Sequence, residues 1–207
     1  MTHRTLVTVT AFLVATAPMA FGQSQDAARK SLDDARKSYD AGAYQKVVDA
    51  AGGSGDPHLM YLVAQSQQKL RKPDDARGVF EKLSGRPDTD AWHAIGQSGI
   101  ALLASKPEDA AKAADQAVSI DGSLAEAHYQ RGLALSARQQ MPEAAAAFQK
   151  ASDLDPTWSY AHYYAGLAYS KVKRPDLTAS HFQTFLKLAP MAPERAEVQS
   201  ILRTLGK

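Results

Sequence analysis

AEAHYQRGLAL (residues 125–135), PEAAAAF (142–148) and ASDLDP (151–156) decide the fold of this chain. A step of 34 residues forward from these stretches meets the same kinds of residue again. Gly132 leads to Gly166, Phe148 to Phe182, Pro156 to Pro190, Tyr129 to Tyr163 and His128 to His162. Backwards, Ala144 leads to Ala110 and then Ala76. Pro73, Pro107 and Pro175 share a column in which Met141 fills the remaining place, and Phe80 lies two steps before Phe148. A fixed period of this length marks stacked copies of one supersecondary unit, none of which can bury its apolar face alone.

The columns have physical reasons. Ala is abundant and β-branched residues are sparse, which favours helix. Each copy reads as two antiparallel helices, A then B. Gly132 and Gly166 sit where helix A meets helix B, and the missing side chain lets the axes approach. Ala76, Ala110 and Ala144 do the same from helix B, while Phe80, Phe148 and Phe182 fill the seam to the next copy. Pro156 and Pro190 follow helix B, because proline cannot continue a helix and biases the residue before it away from helical backbone. Pro73, Pro107 and Pro175 fit the start of helix B, where a missing N–H costs nothing.

On these residues the sequence resembles the tetratricopeptide repeat, a 34-residue helix-turn-helix unit. The resemblance implies an all-α fold, an α-α solenoid of four repeats (57–90, 91–124, 125–158 and 159–192). A truncated helix pair and a Gly-rich break (23–56) precede them, with Gly42-Ala-Tyr44 as the inter-helix turn. A capping helix (193–207) follows. In that helix Pro193 takes a first helical position, and Val198, Ile201, Leu202 and Leu205 form one apolar stripe. Departures from the family pattern are visible. Met60, Ala94, His128 and His162 stand where the family has Trp, and Thr178 stands where helix B has a small Ala. Asp121-Gly122 replaces Asp-Pro. The helix A near residue 91 fits two registers, the second putting Trp92, Ile95 and Gly96 in the Trp, Leu and Gly slots with two extra residues before Pro107.

By the same resemblance the second, fifth and ninth places of helix A face a concave groove. That selects Tyr61, Gln65, Glu126, Tyr129, Leu133, Tyr160, Tyr163 and Leu167, with Tyr164 crowding the same side. Trp92 and Ile95 join them if the 34-residue register holds. Tyr and Trp dominate interface hot spots, so the groove reads as a surface for a protein or peptide segment. Tyr129 and Tyr163 are equally the family's packing positions, and both readings stand. The clamp that some family members use for a peptide carboxylate is not matched, since the chain has no Asn.

Composition narrows the chemistry. There is no cysteine, so no disulfide framework, thiolate metal site or Cys nucleophile is available. A net charge of +2 without a Lys/Arg cluster gives no nucleic-acid or membrane-surface signature. His128 and His162 share a column in adjacent copies, too far apart for one metal, while His58 and His93 stand alone and His181 lies on a helix B. Acid pairs such as Asp74-Asp75 and Glu108-Asp109 suit helix N-termini. No catalytic residue, metal site or cofactor is expected, and the chain reads as a non-enzyme.

Residues 1–22 resemble an export signal. His3 and Arg4 precede an apolar run from Leu6 to Ala17, Pro18 breaks it, and Ala20-Phe21-Gly22 offers a small-residue cleavage site before Gln23. The run is shorter than a membrane span requires, so no span is expected after removal. The expectation is an exported scaffold, periplasmic or secreted in a bacterium. Two rivals remain: a structural subunit of a cell-envelope assembly or secretion complex, and a glycan or small-molecule binder.

Overall fold

The computed structural model describes residues 17–206, with side chains from residue 26 onward. These residues form eleven helices and no strand. The expected signal segment lies outside the described residues except for 17–22, whose backbone belongs to the first helix. Helix α1 (Ala17–Asp40) and α2 (Tyr44–Ala51) precede four pairs: α3 (Pro57–Lys69) with α4 (Pro73–Ser84), α5 (Ala91–Leu103) with α6 (Pro107–Ile120), α7 (Ala125–Ala137) with α8 (Met141–Leu154), and α9 (Ser159–Lys171) with α10 (Pro175–Leu188). The last helix is α11 (Arg195–Leu205). No described helix is long and apolar enough to cross a membrane.

The turn inside each pair fixes the period. Arg71, Ser105, Gln139 and Lys173 hold φ of 59°, 56°, 62° and 57°, left-handed backbone at a non-glycine residue. The next amide reaches back over the end of helix A: Lys72 N to Gln67 O at 2.9 Å, Lys106 N to Ala101 O at 2.9 Å, Gln140 N to Leu135 O at 2.9 Å and Arg174 N to Tyr169 O at 3.0 Å. This is the Schellman closure, which satisfies the orphan carbonyls of a helix end. The proline, or Met141, then opens helix B. Because Ser105 occupies this place in the second pair, no extra residue precedes Pro107 and α5 keeps the 34-residue register.

Helix pairs meet through the expected small residues. A Cβ added to Gly132 would lie 2.6 Å from the Phe148 ring, and one added to Gly166 2.6 Å from the Phe182 ring. Phe148 also stacks on Tyr164 of the next pair at 5.5 Å, so it fills both its own contact and the seam. Phe80 reaches forward to Gly99. Thr178 is fully buried, and its hydroxyl donates to Arg174 O at 2.9 Å, which removes the cost of a polar group in the alanine column.

Two terminal expectations need correction. The capping helix starts at Arg195, not at Pro193. Pro193 instead packs over the α1–α2 turn, its Cγ 2.7 Å from where a Cβ of Gly42 would be, and Gly42 takes φ 74°. Only glycine suits both demands. Val198 is fully buried and Ile201 and Leu202 half-buried, but Leu205 lies at the exposed end of the stripe.

Candidate functional site

The A helices present their second and fifth places to the inside of the array, and there the walls touch. His58, Trp92, Glu126 and Tyr160 form the second-place column; Tyr61, Ile95, Tyr129 and Tyr163 form the fifth. The His58 ring meets Trp92 edge-on at 4.9 Å, and its Nδ1 lies 2.7 Å from Glu126 Oε1. His58 is therefore not isolated, a correction to the sequence reading. The Glu126 hydrogen bond raises the His58 pKa against the opposing effect of burial. The Tyr61 hydroxyl donates to Gln130 Oε1 at 2.8 Å, and Gln130 Nε2 donates to Ser98 Oγ at 3.2 Å, so one polar chain links α3, α7 and α5.

Around it stands an aromatic cluster. Tyr129 stacks on Trp158 at 4.4 Å and meets Tyr61 at 6.4 Å and Tyr164 at 5.6 Å, both edge-on. Burial pushes the hydroxyls of Tyr39, Tyr61 and Tyr129 well up, so all three stay neutral. Trp158, just before α9, is buried at the centre of the cluster, and the sequence reading missed it. Its column holds Asp56, Asp90 and Leu124 in the other repeats, so no periodic signal marks it.

The first helix pair crosses to residues 155–160, where the last two repeats join. Arg36 Nη1 is 2.7 Å from Asp155 Oδ2, with its guanidinium carbon 5.8 Å from the Trp158 ring centre. The Ser159 hydroxyl donates to Asp40 Oδ1 at 2.5 Å, and the Tyr39 ring meets Tyr160 edge-on at 4.9 Å. The Tyr160 hydroxyl donates to Glu194 Oε2 at 2.7 Å, and Lys69 Nζ to Glu194 Oε1 at 2.8 Å. Burial alone would raise the Glu194 pKa, but hydrogen bonds from Lys69 and Tyr160 outweigh it and hold the carboxylate ionised. Asp40 is different: burial pushes it up to about 6 despite Ser159 and Arg36.

Of the residues expected in the groove, Tyr61, Trp92, Ile95, Glu126, Tyr129, Tyr160 and Tyr163 are buried, and Gln65, Leu133, Tyr164 and Leu167 are half-buried. On the inner face of the A helices Tyr61 touches Trp92 and Tyr129, and Tyr163 touches Tyr160 and Tyr164. The long aromatic side chains fill it and the first helix pair closes it, so the face is shut in this conformation. No group of three or more His, Asp or Glu side chains with metal-binding geometry occurs among the described residues. His162 meets His181 of α10 rather than His128, and burial pushes His181 down to about 4.

The geometry agrees with known proteins. No curated protein sequence matches the chain. A solved thermophilic TPR protein of Thermus thermophilus is 20% identical over 84% of this chain and 98% of its own, with a TM-score of 0.60. The Arabidopsis OM64 TPR domain is 18% identical over 57% of this chain and 98% of its own, with a TM-score of 0.53. The family model described as "Tetratricopeptide repeat" matches residues 125–158. Residues 125–158 thus form a tetratricopeptide repeat, and the described helices on both sides repeat the same helix-turn-helix unit at the same spacing.

Proposed function

We propose that the chain is an exported scaffold that holds a protein or peptide segment on its concave face, without a catalytic step of its own. The observation that carries this reading is how the walls meet. Opposite sides of the face are joined by the polar tips of Tyr, Lys, His, Arg and Glu side chains, groups that a partner segment can take over one by one. The Gly52–Gly55 stretch joins the first helix pair to α3 and is the hinge about which that pair, which packs on α3, would turn for the face to open. Export rests on the pattern at residues 1–22, and a bacterial periplasm is the compartment that suits it.

The complete absence of cysteine offers a test. Asp40→Cys with Ser159→Cys places two thiols where a hydrogen bond now joins the first pair to α9. Crosslinking and mass spectrometry on native envelope extract should recover a partner with the reduced protein and lose it with the oxidised one. The same spectra give the mature amino terminus, expected at Gln23. If the oxidised form recovers the same partner, the concave face is not the site. The burial of the groove aromatics favours that second reading, a structural subunit of a cell-envelope assembly that binds through its convex face or its ends.

A further inference from the structure

His162 on α9 and His181 on α10 face each other with their Nδ1 atoms 3.1 Å apart. The other nitrogen of each ring is committed. His181 Nε2 lies 2.7 Å from Gln149 Oε1, and the Gln149 amide nitrogen donates to Asp153 Oδ1 at 2.8 Å. That orientation leaves an oxygen towards His181, and an amide oxygen only accepts, so His181 Nε2 carries the proton. His162 Nε2 lies 3.3 Å from the carbonyl of Pro156, again an acceptor only. A neutral imidazole has one N–H. With both rings as Nε2–H tautomers the two Nδ1 atoms present lone pairs to each other, a contact that a cation between them relieves; in the other tautomer of His162, Nδ1–H donates to His181 Nδ1 and the longer Pro156 contact is given up.

The preceding repeat is an internal control. His128 stands 34 residues before His162, and its Nε2 lies 3.0 Å from Gly122 O, the carbonyl 34 residues before that of Pro156. The turn that both repeats share thus favours the Nε2–H tautomer. The Nδ1 of His128 is buried with no partner, and the residue 34 before His181 is Ala147. Only the last repeat adds a second bare nitrogen.

We propose that His162 and His181 form a two-imidazole site for a borderline divalent transition metal of the zinc class. Tetrahedral zinc with Zn–N of about 2.0–2.1 Å places two nitrogens roughly 3.3 Å apart, close to the spacing here. Each ring already gives its other N–H to an oxygen, the arrangement that orients metal-ligating histidines. Tyr169 stacks on His181 at 5.6 Å with planes 17° apart, which holds the ring in place. The remaining positions are left to water, so the site ties α9 to α10 with modest affinity.

Zinc chloride titrated calorimetrically into the full chain should bind at one equivalent. The His128→Ala variant should keep that binding. His162→Ala and His181→Ala should each weaken it at least tenfold with helicity unchanged. In wild-type protein labelled at the imidazole nitrogens, zinc should shift the Nδ1 resonances of two histidines and leave their Nε2 protonated. Equal isotherms for wild type and His181→Ala overturn the proposal. So do nitrogen shifts confined to Nε2 or to other histidines, and that readout stands even if a variant fails to fold.

Discussion

The repeats at 91–124 and 125–158 have helices of nearly the same length and turns with a left-handed residue at the same place, Ser105 and Gln139, yet they pack their two helices by opposite means. The later repeat sets Gly132 against a large ring, Phe148. The earlier one has Ser98 and Ala114 in those places, both fully buried. There the Ser98 hydroxyl donates to Ala110 O at 2.9 Å across the helix contact. Their approaches to helix A differ too. Asp90 caps α5 directly, accepting from Trp92 N at 3.0 Å, while Asp121 closes a turn three residues earlier by accepting from Ser123 N at 2.9 Å. The period therefore lives in helix length and turn register, and the contact residues can change as long as volume and polarity stay balanced. The family model matches 125–158, while the backbone repeats at the same step through 159–192.

The largest expected effect comes from moving one solution into the other repeat. Phe148→Ala should cost about 3–5 kcal/mol through the cavity it leaves. Gly132→Ser alone should cost about 1–3 kcal/mol, because its Cβ would sit 2.6 Å from that ring. Together the changes rebuild the Ser98–Ala114 arrangement, with the new hydroxyl within reach of Ala144 O. The double variant should lose less than the sum of the singles in urea unfolding, by at least about 1 kcal/mol. Strict additivity would mean that the two packings are not interchangeable.

The same comparison separates pH-silent contacts inside repeats from titratable ones across the concave face. Asp40, at about 6, is raised by burial and faces Arg36, Ser159 and Glu194. The folded state binds its proton more tightly than the unfolded state does, so its contribution to stability falls as pH rises from about 4 to about 6. Asp40→Asn should remove that slope, changing the pH dependence by at most about 3 kcal/mol over the window. Taking the difference between variant and wild type cancels the histidine and remaining carboxylate titrations. A variant whose unfolding free energy keeps the wild-type slope from pH 4 to 6 would place the titrating group elsewhere.

What was legible in the sequence is local. Gly132, Phe148, the prolines and the 34-residue step fix helices and turns, because each acts within one repeat or on its neighbour. What was not legible depends on accumulated curvature. Arg36 meets Asp155, and Lys69 meets Glu194, only because small rotations between successive pairs add up until the early helices face the far end of the array. No periodic column records such a contact. The tyrosines were identified as inward-facing, but whether the face is open or filled is a property of that curvature. The His162–His181 pair escaped for another reason: His181 occupies a column that is Ala147 one repeat earlier.

The smallest expected effect tests whether the polar chain across the concave face acts as a unit. Ser98, which in the packing comparison stands in for a glycine, has a second role that Gly132 lacks. Its oxygen accepts from Gln130 Nε2 while Gln130 Oε1 accepts from the Tyr61 hydroxyl. Tyr61→Phe deletes one hydroxyl and keeps the ring, so it should cost about 1 kcal/mol, the net value of a buried hydrogen bond. Ser98→Ala should cost a similar amount, since it leaves the Gln130 amide without an acceptor. The two side chains do not bond each other; they share only Gln130. If the amide is held from both ends, losing either hydroxyl frees it to turn towards the other, and the double variant should cost about 0.5 kcal/mol less than the sum. A third variant, Gln130→Met, removes the shared group and should abolish that coupling. Equal coupling with and without Gln130 would mean that Tyr61 and Ser98 communicate through packing of α3, α5 and α7 instead. The concave face would then be held by its rings and not by its polar tips, which would weaken the case that a partner can replace those tips one at a time.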